Sequence, residues 1–257
     1  PHRRTGRFDL PLDVVAFSCR IKYNRLTWPG RVRPACHHKL SIGGERNEKF
    51  KNEKLFVKVG MELFYSEGPS IIKEIKDLGH KIFLDLKLHD IPNTVKGGMK
   101  SLAKLGVDMV NVHAAGGIKM MQAAYDAFEG VENKPKIIAV TQLTSTSKEA
   151  MNNEQGIPGD VIDSVLRYAK CAKEAHLDGV VCSPLEVRAI KDSLGEDFLT
   201  VTPGIRPQTV NDDQVRVTTP HDARKLGTNY IVVGRPITKA EDPYKAYLEI
   251  RKDFLGE

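Results

Sequence analysis

"FLDLKLHDIPNT", residues 83–94, alternates apolar positions with Asp85, Lys87 and His89, and a further acid, Asp90, follows at once. On a surface strand these charges would face water and nothing would follow from them. On a buried strand they would need one another, because an ion taken out of water without a partner is costly. Side chains of a strand alternate faces, so Asp85 and Lys87 are expected to point the same way. What surrounds the stretch decides between the two cases.

From residue 55 onward, short β-rich runs recur: "LFVKV" (55–59), "KIFLD" (81–85), "VDMVNV" (107–112), "KIIAVT" (136–141), "LDGVVC" (177–182), "FLTVT" (198–202) and "YIVVG" (230–234). Segments with helical periodicity separate most of them, such as "GPSIIKEIKDLG" and "GDVIDSVLRYAKCAKEAH". Strands alternating with helices of this length indicate βαβ units and a parallel sheet. Gly79, Gly106 and Gly227 stand where C-terminal helix caps belong, and Pro92 and Pro158 where a first helical turn accepts proline. Seven strands are clear, and "LDVVAF" (12–17) supplies an eighth. The expected class is α/β, a (β/α)8 TIM barrel, which buries the 83–94 strand. A doubly wound sheet fits less well, since no glycine-rich nucleotide loop opens the first unit. Lys58, Asp85, His113, Thr141 and Arg235 fall at strand ends, which in a barrel converge on one rim.

Charge divides the chain into residues 1–54 and a barrel catalytic domain, 55–257. The first part holds 13 Lys or Arg against 5 Asp or Glu; the second holds 26 against 28. The whole-chain charge of +6 therefore belongs to an aperiodic basic segment, interrupted by Pro29, Pro34 and Gly43–Gly44, with Trp28 away from any core strand. A nucleic-acid arm would rest on that segment alone, and it lacks the interleaving of basic and aromatic residues that stacks bases. A poorly packed excursion is the plainer expectation. The His37–His38 pair has no partners for a metal site. No run of 18 apolar residues suggests a membrane span, and no clean apolar stretch after the basic start suggests a signal peptide. Cys19, Cys36, Cys171 and Cys182 have no metal-like spacing and suit a reducing, cytoplasmic setting.

Within the barrel domain, Lys58 in "FVKVG" lies one strand before Asp85. Two lysines and two acids on neighbouring strand ends can neutralise one another while all four stay charged. Such an array is preorganised for electrostatic catalysis, and a lysine held between carboxylates can act as a general acid toward carbon. A simple rim salt bridge remains the alternative. Farther along, "VTPGIRP" (201–207) and "VVGRPIT" (232–238) follow the seventh and eighth strands, where barrels commonly hold phosphate. Gly234 can offer its N–H, Arg206 and Arg235 can fork onto phosphate oxygens, and Gln214 lies on a loop able to close as a lid. Ordinary surface charge is the alternative for the two arginines.

Taken in order, "LFVKVGMELF", "FLDLKLHDIPNTV", "VNVHAAGG", "AVTQLTST", "LDGVVCS", "VTPGIRP", "NDDQVRV" and "IVVGRPITKA" resemble the orotidine 5′-phosphate decarboxylase family, bacterial type, from about residue 55 to 252. The resemblance implies a homodimeric barrel lyase of de novo pyrimidine (UMP) biosynthesis. It converts orotidine 5′-monophosphate to UMP with neither metal nor organic cofactor. It implies that Lys87 protonates C6, Asp85 lies beside the departing carboxylate, and Lys58 completes the charged chain and reaches the ribose. It also implies that Asp90 and Thr94 cross the dimer interface, Thr144 lies near the pyrimidine, and Arg206, Gln214, Gly234 and Arg235 hold the phosphate. His113 is expected to support rather than catalyse.

One departure stands out. The family's first strand usually ends in "ALDF", whose aspartate binds the ribose. Here Phe17 and Ser18 stand where that motif would end, and Asp13 lies 45 residues before Lys58. The ribose contact is therefore in doubt. Failure of the first strand would leave an open seam with two exposed edges. Two other functions stay in view: the related decarboxylation of a 3-keto-gulonate-6-phosphate type sugar, and an inactive scaffold carrying a basic nucleic-acid arm.

Overall fold

β-branched and apolar runs, each too short for a helix, form a ring of parallel strands. The computed structural model describes residues 13–18, 50, 53–207 and 217–257. The strands are β1 (Asp13–Ser18), β2 (Phe56–Gly60), β3 (Lys81–Leu88), β4 (Met109–His113), β5 (Lys136–Val140), β6 (Gly179–Val181), β7 (Leu199–Thr202) and β8 (Tyr230–Val233). Each pairs in parallel with its neighbour in sequence, and β1 also pairs with β8 from Asp13↔Tyr230 to Ala16↔Val233, closing the barrel. The first strand forms even without the "ALDF" ending, so the seam is shut. The rest of the basic N-terminal segment, apart from residues 50, 53 and 54, lies outside the described residues, as do the His37–His38 pair and the nucleic-acid arm.

Around the ring run α1 (Met61–Glu67), α2 (Ser70–Asp77), α3 (Pro92–Ala103), α4 (Gly117–Asp126), α5 (Lys148–Asn153), α6 (Val161–Glu174), α7 (Val187–Leu194), α8 (Pro220–Lys225), α9 (Arg235–Thr238) and α10 (Pro243–Leu255). Pro92 opens α3 as expected. Pro158 does not open a helix: α6 begins at Val161, with Asp160 in the N-cap position but making no side-chain capping hydrogen bond. The proline instead belongs to the turn ahead of the cap, where Gly159 takes a positive φ.

Alternation sorts each strand between two cores. Val57, Val59, Ile82, Leu84, Val110 and Val112 point outward onto Ile71, Ile72 and Ile75 of α2 and Val95 and Met99 of α3. Phe56, Phe83, Met109, Ile138, Leu199, Val201 and Tyr230 fill the interior. Both faces are thus buried, the condition under which a parallel sheet is stable. The interior is plugged with side chains, so a ligand can enter only at an end.

The N-terminal end of the barrel is stitched by one device used three times. The second residue of β3, β5 and β7 donates its N–H to the acidic or amide side chain just before the following strand: Ile82 to Asp108 (2.7 Å), Ile137 to Asp178 (2.7 Å) and Thr200 to Asn229 (2.9 Å). Beside Asn229 lies Lys191 of α7, 2% exposed. Its ammonium donates to the carbonyls of Glu196 (2.7 Å) and Phe198 (2.8 Å) and to Asn229 Oδ1 (2.8 Å). Burial pushes its pKa down.

Candidate active site

The opposite end is built differently. On β2, Lys58 reaches forward along the interior face, and its Nζ lies 3.1 Å from Asp85 Oδ2. Its path passes Gly60, which pairs with Asp85 across the sheet. A Cβ at position 60 would come within 3.3 Å of the ammonium, so glycine leaves the room the lysine needs.

On β3 the expected regular alternation fails. The strand pairs Leu84↔Val110 and then Leu88↔Val112, so Asp85, Leu86 and Lys87 together face Asn111 alone. Lys87 takes a φ of +53°, a left-handed conformation that costs a non-glycine residue roughly 1–2 kcal/mol. Asp85 and Lys87 still meet, with Lys87 Nζ 2.6 Å from Asp85 Oδ1. They do so through a bulge, a distortion that re-aims side chains beside functional sites.

Asn111, 1% exposed on β4, spans the distortion. Its Nδ2 donates to Asp85 Oδ1 (2.7 Å), and its Oδ1 accepts the Lys87 backbone N–H (2.8 Å). Burial alone would raise the Asp85 carboxyl. The Lys58 and Lys87 ammonium groups, with hydrogen bonds from Lys87 and Asn111, outweigh it and hold the pKa below the usual carboxylate range. Asp85 therefore carries its negative charge while only 8% exposed.

His113, at the end of β4, stacks on His89 with ring centroids 5.5 Å apart. Its Nδ1 accepts the N–H of Ala115 (3.4 Å), capping the short 3-10 turn that follows. Burial, then the nearby His89 and Lys87, lower its pKa, which keeps the imidazole neutral near pH 7.

A cavity of about 330 Å³ opens above the plug, at the lower end of the range for small-molecule sites. Lys58, Asp85 and Lys87 form one wall, Thr144 stands beyond the end of β5, and Arg206, Gly234 and Arg235 face from the ends of β7 and β8. Arg206 is buried, and its loop is pinned where its N–H meets the Thr218 carbonyl (2.9 Å) and Thr218 N–H meets Gly204 (3.1 Å). Gly204 turns that loop at a φ of +84°. Gly234 precedes α9, whose first residue is Arg235. Seven of the expected site residues thus share one space. Asp90 and Thr94 do not line it; both are exposed beside it, with Asp90 Oδ1 accepting the Ile91 N–H (2.6 Å). Gln214 lies outside the described residues.

Two residues in or beside the site were not anticipated from sequence. Gln142 lines the cavity and donates to Ser164 of α6 (3.0 Å). Asn111 had a readable signal: it shares parity with inward Met109 and with His113 in "MVNVH".

Comparison with known proteins converges on one family. The model of the family described as "Orotidine 5′-phosphate decarboxylase / HUMPS family" matches residues 45–250. Orotidine 5′-phosphate decarboxylase of Streptococcus agalactiae is 62% identical over 206 residues, covering 79% of this chain and 87% of the relative. That of Enterococcus faecalis is 59% identical over 213 residues, covering 80% and 90%. Among solved structures, orotidine 5′-phosphate decarboxylase from Lactobacillus acidophilus superposes with a TM-score of 0.73 at 42% identity, covering 96% of this chain and 99% of that one.

Proposed function

The chain belongs to the orotidine 5′-phosphate decarboxylase / HUMPS family, and from that premise we propose that it decarboxylates orotidine 5′-monophosphate to UMP, with Lys87 as the proton donor. It is an enzyme, a carboxy-lyase of pyrimidine nucleotide synthesis. The observation that carries the mechanism is the Lys58–Asp85–Lys87 array on the wall of a cavity that also holds two arginines.

The phosphate is held by Arg206, Arg235 and the Gly234 N–H, with Gln214 as a further phosphate ligand. This anchoring places the pyrimidine toward Lys87, with Thr144 beside the ring and Lys58 near the ribose. The bond between C6 and its carboxylate breaks, carbon dioxide leaves, and the electron pair remains on C6. That carbanion is poorly delocalised, so it must be stabilised by the site. The Lys87 ammonium does so through its charge and then gives its proton to C6, to be reprotonated from solvent. Asp85 holds the ammonium and opposes the substrate carboxylate more than the transition state, in which that charge is leaving. No metal ion or organic cofactor is required, because the charged chain supplies the stabilisation.

We place Asp90 and Thr94 in the site of a second subunit, making the active form a homodimer. Ile91, next to Asp90, leaves 66% of its surface exposed in the single chain, an apolar exposure that a partner would relieve. Residues 55–257 form the catalytic body, to which the preceding segment lends one strand. Among the described residues no helix is long and apolar enough to cross a membrane. A cytoplasmic setting suits the proposed substrate, and nucleic acid is not a proposed partner.

The test is turnover by the purified chain with a chelator present. The substrate's ultraviolet absorbance should fall and UMP should appear. Activity that needs Mg²⁺, or turnover of a keto-sugar phosphate in its place, would overturn the assignment.

A further inference from the structure

We propose that Asn111 is a positioning residue for this reaction: its one amide group fixes the Asp85 carboxylate and the Lys87 backbone in the geometry in which they act together. The inference rests on Lys87 being the proton donor. Three residues of β3 face Asn111 alone, so the backbone ladder cannot serve all of them. A side chain takes its place. Asn111 Oδ1 accepts the Lys87 N–H at 2.8 Å, and Nδ2 donates to Asp85 Oδ1 at 2.7 Å, the same oxygen that receives the Lys87 ammonium at 2.6 Å.

The orientation of the amide is dictated by its partners. A backbone N–H can only donate and an ionised carboxylate can only accept, so the oxygen faces Lys87 and the nitrogen faces Asp85. Only a group with an acceptor and a donor on one planar head satisfies both. Nearly all of Asn111 is buried, so water cannot substitute for it. Without the amide, the left-handed turn at Lys87 loses a hydrogen bond that holds it, and the ammonium loses its fixed carboxylate. Asn111 does not line the cavity. Its effect runs through Asp85 and Lys87.

Aspartate at 111 is nearly isosteric and gives a sharp test. Ionised, it still accepts from Lys87 but sets a second carboxylate oxygen against Asp85. Protonated, it again donates to Asp85 and mimics the amide. The two ammonium groups favour keeping Asp85 ionised, so the shared proton resides on position 111, with a raised pKa because like charges cannot both be held so close.

The experiment compares wild type, Asn111→Ala and Asn111→Asp. In Asn111→Ala, kcat should fall about 10²-fold, the scale of an ångström-level misplacement. KM should stay within about threefold, because the proposed phosphate contacts lie on other strands. In Asn111→Asp, activity relative to wild type should rise about tenfold for each pH unit lowered until the proton is bound. A purely structural defect gives no such new pH dependence. If Asn111→Ala fails to fold, Asn111→Asp decides alone. Wild-type kcat and an unchanged pH profile in Asn111→Asp would overturn the proposal. Amide exchange at Lys87 gives a readout independent of turnover: Asn111→Ala should speed it at least about 100-fold relative to neighbouring β3 amides. If wild type does not turn over orotidine 5′-monophosphate, the proposed function fails. The exchange result then still upholds or overturns the clamp.

Discussion

Each end of this barrel holds a lysine in a polar cluster, Lys191 fully buried and Lys87 partly exposed, and the two have opposite surroundings. Lys191, at the N-terminal end, gives its ammonium to two carbonyls and an amide oxygen, all neutral, and does not line the cavity of the candidate site. Lys87, at the C-terminal end, faces an ionised carboxylate and lines open space. Neutral acceptors consume a lysine's hydrogen-bonding capacity and tie elements together. A carboxylate at the edge of a cavity keeps the charge poised toward whatever enters. Burial of a lysine is therefore no guide to catalysis; the nature of its partners and the space in front of it are.

The strongest test of this contrast is Lys87→Ala. It removes both the acid and the stabilising charge, and kcat should fall by at least about 10⁴-fold. Turnover of orotidine 5′-monophosphate measures it, with a parallel thermal melt expected to change little. A variant that is inactive only because it is unfolded would erase the distinction between the ends.

The contrast sharpens if the C-terminal rim is incomplete in one chain. Lys87→Ala and Asp90→Ala should each be nearly inactive alone. Mixed at equal amounts with demonstrated subunit exchange, they should recover about a quarter of wild-type activity, since half the dimers carry one intact site of two. Mixed dimers that stay dead would remove Asp90 from the shared site.

At the other end, Lys191→Met should leave kcat per folded molecule unchanged. It should lower stability by about 1–3 kcal/mol, read from denaturant midpoints, because buried carbonyls lose their donor. A large loss of kcat would place Lys191 in the chemistry after all.

The smallest expected effect concerns pH. Asp85 has a folded-state pKa below its unfolded one, so it contributes stability at pH above the unfolded value and loses it as pH falls through the folded value. The stability gap between wild type and Asp85→Asn should therefore narrow as pH drops below about 4. A gap that stays constant would mean the carboxylate's charge contributes nothing to the fold.

The barrel was legible because its signal repeats. "LFVKV", "KIIAVT" and "YIVVG" are each short β-rich runs set between helical segments, and each becomes a strand within a residue or two. Strand-end polarity also led to Lys58, Asp85 and Arg235, since an end placed on a rim is a property of sequence order. The bulge was not legible. Alternation gave Asp85 and Lys87 a common side, but what brings them together is a left-handed Lys87 held from β4, and no local spacing encodes a contact 24 residues away. Asn111 was missed for the same reason. Its parity was visible; its two partners were not. Pro158 misled because proline suits a turn before a helix cap as well as a first helical turn.

The pairing of β1 with β8 joins residues 13–16 to residues 230–233. On a ribosome adding about 5–20 residues per second, the first strand must wait on the order of 10–40 s before its second neighbour has been made. Until then the growing sheet is an arc with two free edges, each able to pair with another nascent chain. Gly234 and Arg235 follow β8 directly, so the seam closes and the anion-facing wall is completed in the same late stretch of synthesis. A stall or truncation just before Tyr230 would therefore release a chain that is both adhesive and inactive.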